Sequence, residues 1–230
     1  MFGALGDIHG AFQAVREIME RHREVPFWLC VGDVADADGR YETFPAPLDW
    51  IKGNNENFDC VEQCMAGQRA AGLYAPPYTD TYIANGEVAT IDGLRVAGLG
   101  GTFAPTMYEL AAADLPHPKR STANATELAD RRRHFVREEV DRCKAMSNVD
   151  IFLSHEAPRP FRVDRGLDAG KTPINEVLAA MKPRLHLFGH HHRFAEAQVA
   201  GVRSVCLDLV SNSYLLIDRN TLEYQHLAVK

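Results

Sequence analysis

The apolar positions of the chain recur with two different spacings, one typical of helices and one typical of strands. Phe12, Val15, Ile18 and Met19 share one helical face, which predicts an amphipathic helix over residues 11–22. Short apolar runs bounded by Gly, Pro or polar residues predict buried strands. Strands are predicted at 2–6, 27–31, 48–51, 88–91, 95–99, 151–154, 185–188, 194–199, 202–207, 214–217 and 222–227, and further helices at 59–70, 125–146 and 172–181. The opening order of strand, helix and strand predicts a βαβ unit with parallel strands, and hence an α/β fold. Residues 104–124 have no clear period and are expected to form a substrate-side insertion or a lid.

Five of the predicted strands end beside a Gly or Ser that is followed or accompanied by potential metal ligands. These side chains are, in chain order, Asp7 and His9, Asp33, Asn54, His155, and His190 and His192. Loops at the carboxyl ends of parallel strands lie along one edge of a sheet, so we expect these side chains to form one site. Taken singly, each has a plainer explanation. The run 53–56 is a typical turn sequence, and a His after a buried strand, such as His155, is usually a packed core residue.

The types of donor in this set indicate which metals it suits. Carboxylates combined with neutral imidazoles favour Mn²⁺, Fe²⁺, Co²⁺ or Zn²⁺ over Ca²⁺. Seven candidate ligands are more than one ion with an open coordination position uses, so we expect two divalent ions, which Asp33 could bridge. Two ions about 3.5–4 Å apart would hold a bridging hydroxide as the nucleophile and clamp the oxygens of an in-line displacement. The set therefore predicts hydrolysis of an anionic phosphate ester.

The bulk composition limits the class of protein. The 230 residues are 46% hydrophobic and 24% charged, which is typical of a soluble globular protein, so we expect a single domain over residues 1–230. The net charge of −6 argues against a protein that holds nucleic acid by overall positive charge, although it leaves room for a local basic patch. No apolar run approaches the ~18 residues of a membrane span, no signal peptide opens the chain, and the five Cys residues are scattered. We therefore expect a cytoplasmic protein with reduced thiols and no membrane partner.

Five short motifs, in order, resemble those of the calcineurin-like metallophosphoesterase superfamily. They are Asp7-Ile8-His9, Gly32 to Asp36, Gly53 to Glu56, Ser154-His155, and Gly189 to His192. The resemblance implies a four-layer α-β-β-α sandwich of two mixed sheets flanked by helices, with a dinuclear metal centre. It also implies a division of the ligands between two ions. One ion would take Asp7, His9, Asp33 and His192, and the other would take Asp33, Asn54, His155 and His190.

Within the superfamily, residues 94–103, 149–159 and 185–194 resemble the RNA lariat-debranching enzymes. This resemblance implies a phosphate-ester substrate that is a nucleotide or an RNA. The chain differs from those enzymes in keeping Asp7, where they often carry Cys, and it is expected to lack their long C-terminal region. Residues 32–38 have no Arg where Ser/Thr protein phosphatases and dinucleoside tetraphosphatases use one to engage phosphate, which argues against those two activities.

Asn55 stands where much of the superfamily carries a His thought to protonate the leaving oxygen or to hold the phosphate. Asn has no proton to give, although its amide can donate a hydrogen bond. Some family members with a different residue here are phosphodiesterases, so the resemblance favours phosphodiester hydrolysis. The alternatives are a phosphomonoesterase, a nuclease of the debranching type, and a non-catalytic phosphoesterase fold used for protein binding. Asn55 and His191 are the candidate catalytic residues, since His191 or His117 could replace the missing proton donor. As the plainer alternative, His191 faces solvent or supports the ligands.

Two groups of Arg residues are candidates for binding phosphate. Arg159 and Arg162, together with Arg165, follow His155 closely and could reach the substrate. The second group consists of Arg131, Arg132, Arg133 and Arg137. Acidic residues are interspersed with this second group, which favours a solvated helix face over a track for RNA.

Overall fold

The computed structural model describes residues 1–65, 82–115, 130–163 and 166–229. Its helices are α1 (Phe12–Arg21), α2 (Phe58–Met65), α3 (Arg137–Lys144) and α4 (Thr172–Met181). Its strands are β1 (Phe2–Leu5), β2 (Trp28–Cys30), β3 (Leu48–Trp50), β4 (Glu87–Ile91), β5 (Leu94–Leu99), β6 (Ile151–Ser154), β7 (Leu185–Phe188), β8 (Ala195–Val199), β9 (Val202–Cys206), β10 (Ser213–Ile217) and β11 (Tyr224–Ala228). Every predicted strand is present, with its ends shifted by at most two residues.

The strands form two mixed sheets. The order is β11-β10-β1-β2-β3 in the first sheet and β4-β5-β6-β7-β9-β8 in the second. In the first sheet β1 runs parallel to β2 and antiparallel to β10. In the second sheet β5, β6, β7 and β9 are parallel, and the edge strands β4 and β8 are antiparallel to their neighbours. The parallel pairs confirm the predicted βαβ opening.

Three of the apolar clusters formed by the described residues lie between successive layers of the molecule. Between the sheets, Leu29 and Leu215 of the first sheet share a fully buried cluster with Leu153 and Leu187 of the second. The outer face of the first sheet packs against α1 and α2, and the outer face of the second packs against α3 and α4. The alternation of apolar side chains to both faces explains why each strand reads as a continuous apolar run. The predicted four-layer α-β-β-α sandwich is confirmed.

The prediction of one helix over residues 125–146 is wrong in its middle. Residues 125–129 lie outside the described residues, a short 3₁₀ turn occupies Arg131–Arg133, and α3 begins only at Arg137. His134 and Val136 have extended backbone. The cause is tertiary, because the Arg133 carbonyl accepts a hydrogen bond from the Thr102 amide instead of continuing a helix.

Two other expectations fall partly outside the described residues. The predicted helix 59–70 is present as α2 up to Met65, and residues 66–70 are not described. Of the segment 104–124, residues 104–115 are described and contain one short 3₁₀ turn, at Ala112–Asp114. Its role as an insertion or a lid stays a prediction, as does the assignment of residues 1–230 to a single domain. No described helix has the length and apolar character needed to span a bilayer.

Candidate metal centre

The loops after β1, β2, β3, β6 and β7 carry the predicted ligands to one edge of the sandwich. Within the first sheet β1, β2 and β3 are mutually parallel, as are β6 and β7 in the second, so the carboxyl ends of each set lie along one edge of its sheet. Asp7 and His9 follow β1, and His190 and His192 follow β7 in the other sheet. The amide of His190 nevertheless donates to both carboxylate oxygens of Asp7, at 3.0 and 3.1 Å. The site therefore lies where the two sheets meet.

Asp7, His9 and His192 form one compact group of donor atoms. Nε2 of His192 lies 3.0 Å from Oδ2 of Asp7 and 3.1 Å from Nε2 of His9. The hydrogen bond to Asp7 raises the pKa of His192. Asp7 is buried, whereas His9 and His192 are partly exposed, so this half of the site faces solvent.

Asp7, Asp33 and His155 form a second compact group, and all three residues are buried. The Nδ1 atom of His155 lies 2.8 Å from the Val31 carbonyl, which accepts a hydrogen bond from it. This bond fixes the ring so that Nε2 faces the site. Oδ1 of Asn54 lies 3.0 Å from that Nε2. Burial opposes a positive charge on His155, but Asp33 and Asp7 outweigh it and raise its pKa.

Asp33 lies between the two groups. Its Oδ2 is 3.5 Å from Nε2 of His9 and 3.6 Å from Nε2 of His155. Burial alone would raise the pKa of Asp33, but His155 and the two N–H groups of Asn55 lower it, so the carboxylate is the stable form. This placement is the one expected of a ligand shared by two ions.

His190 lies at the margin of the second group. Its ring centroid is 5.0 Å from that of His155, but among the described residues its nitrogens fall outside both compact groups. Burial and the neighbouring His155 lower the pKa of His190 to about 4, so its imidazole is neutral, the form that binds metals.

Four of the seven predicted ligands have left-handed backbone, with φ of 46° at His9, 53° at Asp33, 70° at His190 and 48° at His192. This conformation is uncommon for residues other than Gly and costs energy, and it persists where surrounding contacts enforce it, often at functional sites. The neighbouring glycines allow the close packing. A Cβ on Gly53 would lie 1.9 Å from Oδ1 of Asp33, and one on Gly189 would lie 2.2 Å from Oδ1 of Asp7.

The donor set fits divalent cations. Asp7 and Asp33 are each 1% exposed and share one site, and two buried carboxylates need cationic partners. When His155 is neutral, its Nε2 and Oδ1 of Asn54 are two acceptors only 3.0 Å apart, which suits a common cation. The assignment of individual ligands to each of two ions stays a prediction.

Asn55 is engaged with Asp33. Its backbone N–H donates to Oδ1 of Asp33 at 2.7 Å, and its side-chain amide donates to Oδ2 at 2.9 Å. Both donors of Asn55 that face the site thus hold one carboxylate in place. The contacts indicate a role in orienting Asp33, and they place the Asn55 amide within the reach of a group bound there.

Glu56 is a supporting residue to which the sequence reasoning gave no role. Its carboxylate accepts hydrogen bonds from the amides of Val34, Ala35 and Gly53 and from the Tyr41 hydroxyl, at 2.8–3.2 Å. It therefore ties the loop of Asp33 to the loop of Asn54. Burial and the nearby Asp33 raise the pKa of Glu56 to about 7. The sequence feature that could have indicated this role was the acidic residue at the end of the motif 53–56.

His191 lies beside the predicted ligand His190, with ring centroids 5.1 Å apart. Its ring packs on Phe161, with centroids 4.6 Å apart, and its buried Nε2 has no hydrogen-bond partner among the described residues. Burial and His190 lower its pKa to about 4, so it is a weak proton donor near neutral pH. These contacts favour the plainer alternative of a supporting residue. His117 lies outside the described residues.

The two predicted phosphate-binding Arg residues make contacts within their own loop. Nε of Arg159 donates to Asp168 at 2.9 Å, and Nη1 of Arg162 donates to the Gly166 carbonyl at 3.2 Å. Both side chains are thus already partnered, which weakens the prediction that they bind substrate. Arg165 lies outside the described residues.

Lys171 is a cation beside the site that the sequence reasoning missed. It is the cap residue before α4, and its Nζ lies 3.9 Å from Oε1 of the buried Glu156, which directly follows His155. Its charge contributes to lowering the pKa of both His190 and His191, after burial and the neighbouring His residues. A distance of 3.9 Å is too long for a hydrogen bond, so the ammonium group can turn towards an anion. The sequence feature that could have indicated Lys171 was its position as a cation immediately before the helix start at Thr172-Pro173.

The comparison with known protein families agrees with this geometry. The family model described as "Calcineurin-like phosphoesterase" matches residues 1–194. The chain belongs to this family. Membership implies a hydrolase that acts on phosphate esters, and a dinuclear metal site is typical of the family.

Two curated relatives of this calcineurin-like phosphoesterase are lariat debranching enzymes. The one from Schizosaccharomyces pombe is 26% identical over 207 residues, which is 80% of this chain and 42% of the relative. The one from Drosophila melanogaster is 27% identical over 167 residues, which is 64% of this chain and 29% of the relative. The chain thus matches less than half the length of either relative.

The chain also resembles solved structures over its whole length, two of them from Thermus thermophilus and Danio rerio. A protein of Thermus thermophilus aligns over 100% of the chain with a TM-score of 0.60 at 13% identity, covering 98% of that protein. A dimetal phosphatase from Danio rerio aligns over 100% of the chain and 98% of its own length, with a TM-score of 0.54 at 14% identity. At these identities the likeness supports the fold.

Proposed function

We propose that this calcineurin-like phosphoesterase is a dinuclear metal-dependent phosphodiesterase. Asp7, His9, Asp33, Asn54, His155, His190 and His192 are the residues that would hold two divalent ions, with Mn²⁺, Fe²⁺ and Zn²⁺ as the candidate metals. When bound, such ions lower the pKa of an attacking water and offset charge that develops on the phosphoryl oxygens. The protein's own contribution is to fix the ligands and to orient the phosphate.

The observation that carries the proposal is the engagement of Asn55 with Asp33. A residue whose backbone N–H and side-chain amide both donate to one carboxylate, and which lacks an acidic proton, cannot protonate a leaving oxygen. Loss of general-acid help costs about 10²–10⁴-fold in rate. Since phosphomonoesters react through a loose transition state with much charge on the leaving oxygen, we expect monoesters of poor leaving groups to suffer most.

Space beside the site supports a substrate with two ester groups. A cleft of about 450 Å³ is lined by His9, Asp36, Gly39, Asn55 and Glu56, among others. It opens next to both the solvent-facing ligand His9 and the Asp33-bound Asn55. A diester carries a second organic group on phosphorus, and this cleft can accept one.

Lys171 is our candidate for binding a non-bridging phosphate oxygen. Its Nζ lies 3.9 Å from Glu156, the residue after His155, and its charge helps to lower the pKa of His190 and His191, which supports a position near the ligands. A single flexible ammonium group suits a phosphodiester monoanion, because Lys acts on phosphate as a point charge.

The test compares an aryl phosphodiester with the matching aryl phosphomonoester, using metal-loaded protein. We expect the diester to have the higher kcat/KM, and Asn54→Ala to abolish both activities. Asn55→His should raise turnover selectively for substrates with poor leaving groups, because it restores a proton donor. A much higher kcat/KM for the monoester would replace the proposal with a phosphomonoesterase.

A nuclease of the debranching type is the second candidate, favoured by the similarity to two lariat debranching enzymes. A 2′,5′-linked dinucleotide and its 3′,5′-linked isomer separate this activity from general phosphodiester hydrolysis. We expect a debranching-type enzyme to cleave the 2′,5′ isomer preferentially. Equal cleavage of both isomers would leave a general phosphodiesterase. Absence of bound metal and of activity on every ester would revive a non-catalytic binding role.

A further inference from the structure

Three consecutive Arg residues form the 3₁₀ turn Arg131–Arg133, which we call the basic turn, and they differ in their partners. Arg132 is surrounded by carboxylates, with ion pairs to Asp130, Asp59 and Glu62. Arg131 and Arg133, on either side of it, make no side-chain ion pair or hydrogen bond in the described part of the chain. Both are partly exposed.

The basic turn is held in place by contacts from the metal-site side of the molecule. The buried Nζ of Lys52 donates to the carbonyl of Arg132 at 2.8 Å and to that of His134 at 3.3 Å. The amide of Thr102 donates to the carbonyl of Arg133 at 2.9 Å. These bonds are made to the backbone of the turn. The side chains of Arg131 and Arg133 take no part in them.

The two anchors of the basic turn connect directly to ligand loops. Lys52 precedes Asn54 by two residues, and its carbonyl accepts a hydrogen bond from Gly101. Phe103, which follows Thr102, donates its amide to Glu156, the neighbour of His155. The loop 100–103 therefore lies between the Asn54 loop and the His155 loop, and the basic turn lies against this loop.

The electrostatic environment of His134 agrees with this arrangement. Burial lowers its pKa, the Thr102 carbonyl opposes that effect, and the charges of Arg133, Arg131 and Lys52 lower the pKa further. Three cations thus act on one buried residue next to the Asn54 loop. Arg131 and Arg133 thus add positive charge beside the loop 100–103, while Asp130, Asp59 and Glu62 surround Arg132.

We propose that Arg131 and Arg133 bind backbone phosphates of a single-stranded oligonucleotide whose scissile phosphate lies at the metal centre. The inference rests on the proposed phosphodiesterase function and names its substrate class, an oligonucleotide with phosphates on at least one side of the reacting one. Unpaired guanidinium groups suit this role, because Arg binds phosphate oxygens with two parallel hydrogen bonds.

This proposal revises the expectation that the four Arg residues form a solvated helix face. Arg137 fits that expectation, since it is exposed on α3 and pairs with Glu109. Arg132 does not, because it is buried among its carboxylates in the 3₁₀ turn. Arg131 and Arg133 do not fit it. The break in the predicted helix separates these two residues from the acidic first turn of α3.

The experiment measures binding of a fluorescent ten-nucleotide single strand with phosphorothioate linkages to metal-loaded protein at several salt concentrations. Such linkages keep the backbone charge and slow cleavage. The test variant is Arg131→Gln/Arg133→Gln. The matched control is Arg137→Gln/Arg184→Gln, which removes the same charge from residues paired with Glu109 and Asp150. Arg131→Lys/Arg133→Lys keeps the positive charge, so it separates an effect of lost charge from an effect of misfolding.

For single strands each phosphate contact contributes about 0.7 to the slope of log affinity against log salt. Loss of two contacts should reduce the slope by about 1.4 and the affinity about 25-fold at 0.1 M salt, relative to a 1 M reference. The Lys variant should retain most of the affinity, and the control should stay close to the unaltered protein. An equal loss in test and control variants, or an unchanged slope, overturns the inference.

Hydrolysis of a small aryl diester separates this inference from the proposed function. That substrate has no flanking phosphates, so Arg131→Gln/Arg133→Gln should leave its kcat/KM unchanged. If the unaltered protein fails to hydrolyse the small diester, the proposed function fails, while the binding comparison still decides the role of the basic turn. A fall in small-diester kcat/KM in the test variant alone would show a structural effect and overturn the inference.

Discussion

Replacement of Asn55 by Ala tests whether this residue supports a metal ligand. The substitution removes the side-chain amide that donates to Oδ2 of Asp33 at 2.9 Å. It leaves the backbone N–H bond to Oδ1 intact, at 2.7 Å. Asp33 is 1% exposed, so water cannot easily replace the lost donor. The Asp33 carboxylate therefore loses one of the two hydrogen bonds from Asn55 that orient it and keeps the other.

The expected magnitude follows from two independent figures. A hydrogen bond to a charged group contributes roughly 1.5–3 kcal/mol. Removal of a residue that orients a metal ligand typically costs about 10–100-fold in metal affinity, which corresponds to about 1.4–2.7 kcal/mol. We therefore expect Mn²⁺ affinity to fall about 10–100-fold, and metal-loaded activity to recover at higher metal concentration.

Calorimetric titration of metal-free protein with Mn²⁺ measures this change directly. Asn175→Ala is the matched control, because Asn175 also uses its side-chain amide in two bonds, both to the backbone of Arg159 at 2.7 Å. The control should lose stability without losing metal affinity. If Asn55→Ala binds Mn²⁺ within twofold of the unaltered protein, Asn55 does not support Asp33 in the metal-bound state. The reasoning would also fail if Asn175→Ala showed the same loss.

Two further predictions concern Lys171 and the buried His186. Lys171→Gln should lower kcat/KM for a phosphodiester about 10–100-fold, mainly through KM, because a charge-assisted contact is worth roughly 1.5–3 kcal/mol. Lys144→Gln, at a residue paired with Asp141 and Glu176, is the control, and equal effects of the two changes would contradict the assignment. Burial lowers the pKa of His186 to about 3, against about 6.5 in the unfolded chain. Its neutral form therefore contributes stability above pH 6.5 that is lost as the pH falls, by about 2 kcal/mol at pH 5. Urea unfolding of metal-free protein at pH 7 and pH 5 should show this loss, and His186→Gln should lack it; an identical pH dependence in both would exclude His186 as its source.

Much of the fold can be predicted from the sequence because its determinants are local. Buried strands such as β6 and β7 are continuous apolar runs, and α1 shows its buried face at helical spacing. The strand ends are equally visible, since Gly and polar residues interrupt each run. Parallel strands place such ends along one edge, so the convergence of Asp7, Asp33 and His155 follows from the pattern of the chain.

The failures have a common cause in contacts between segments far apart in the chain. Residues 134–136 lie in a stretch with helical periodicity, but hydrogen bonds from Thr102 and Lys52 hold the preceding 3₁₀ turn, and the α-helix begins only at Arg137. Local propensity cannot report a donor that lies 80 residues away in the chain. Arg159 illustrates the same limit, because proximity to His155 in sequence did not reveal its bond to Asp168.

By itself, the sequence determined the buried strands and helices, the edge on which the site lies and the chemical types of its donors, while the four-layer sandwich was implied by the resemblance of its motifs to a known superfamily. These properties depend on periodicity and on residues that directly follow strands. Only the tertiary structure decided what the supporting residues do: Asn55 orients Asp33, Glu56 joins two loops, Lys171 lies near Glu156, and Arg131 and Arg133 are left without counter-ions among the described residues. The physical reason is that a hydrogen bond or an ion pair forms within a few ångströms, and only the packing of the two sheets brings these loops that close.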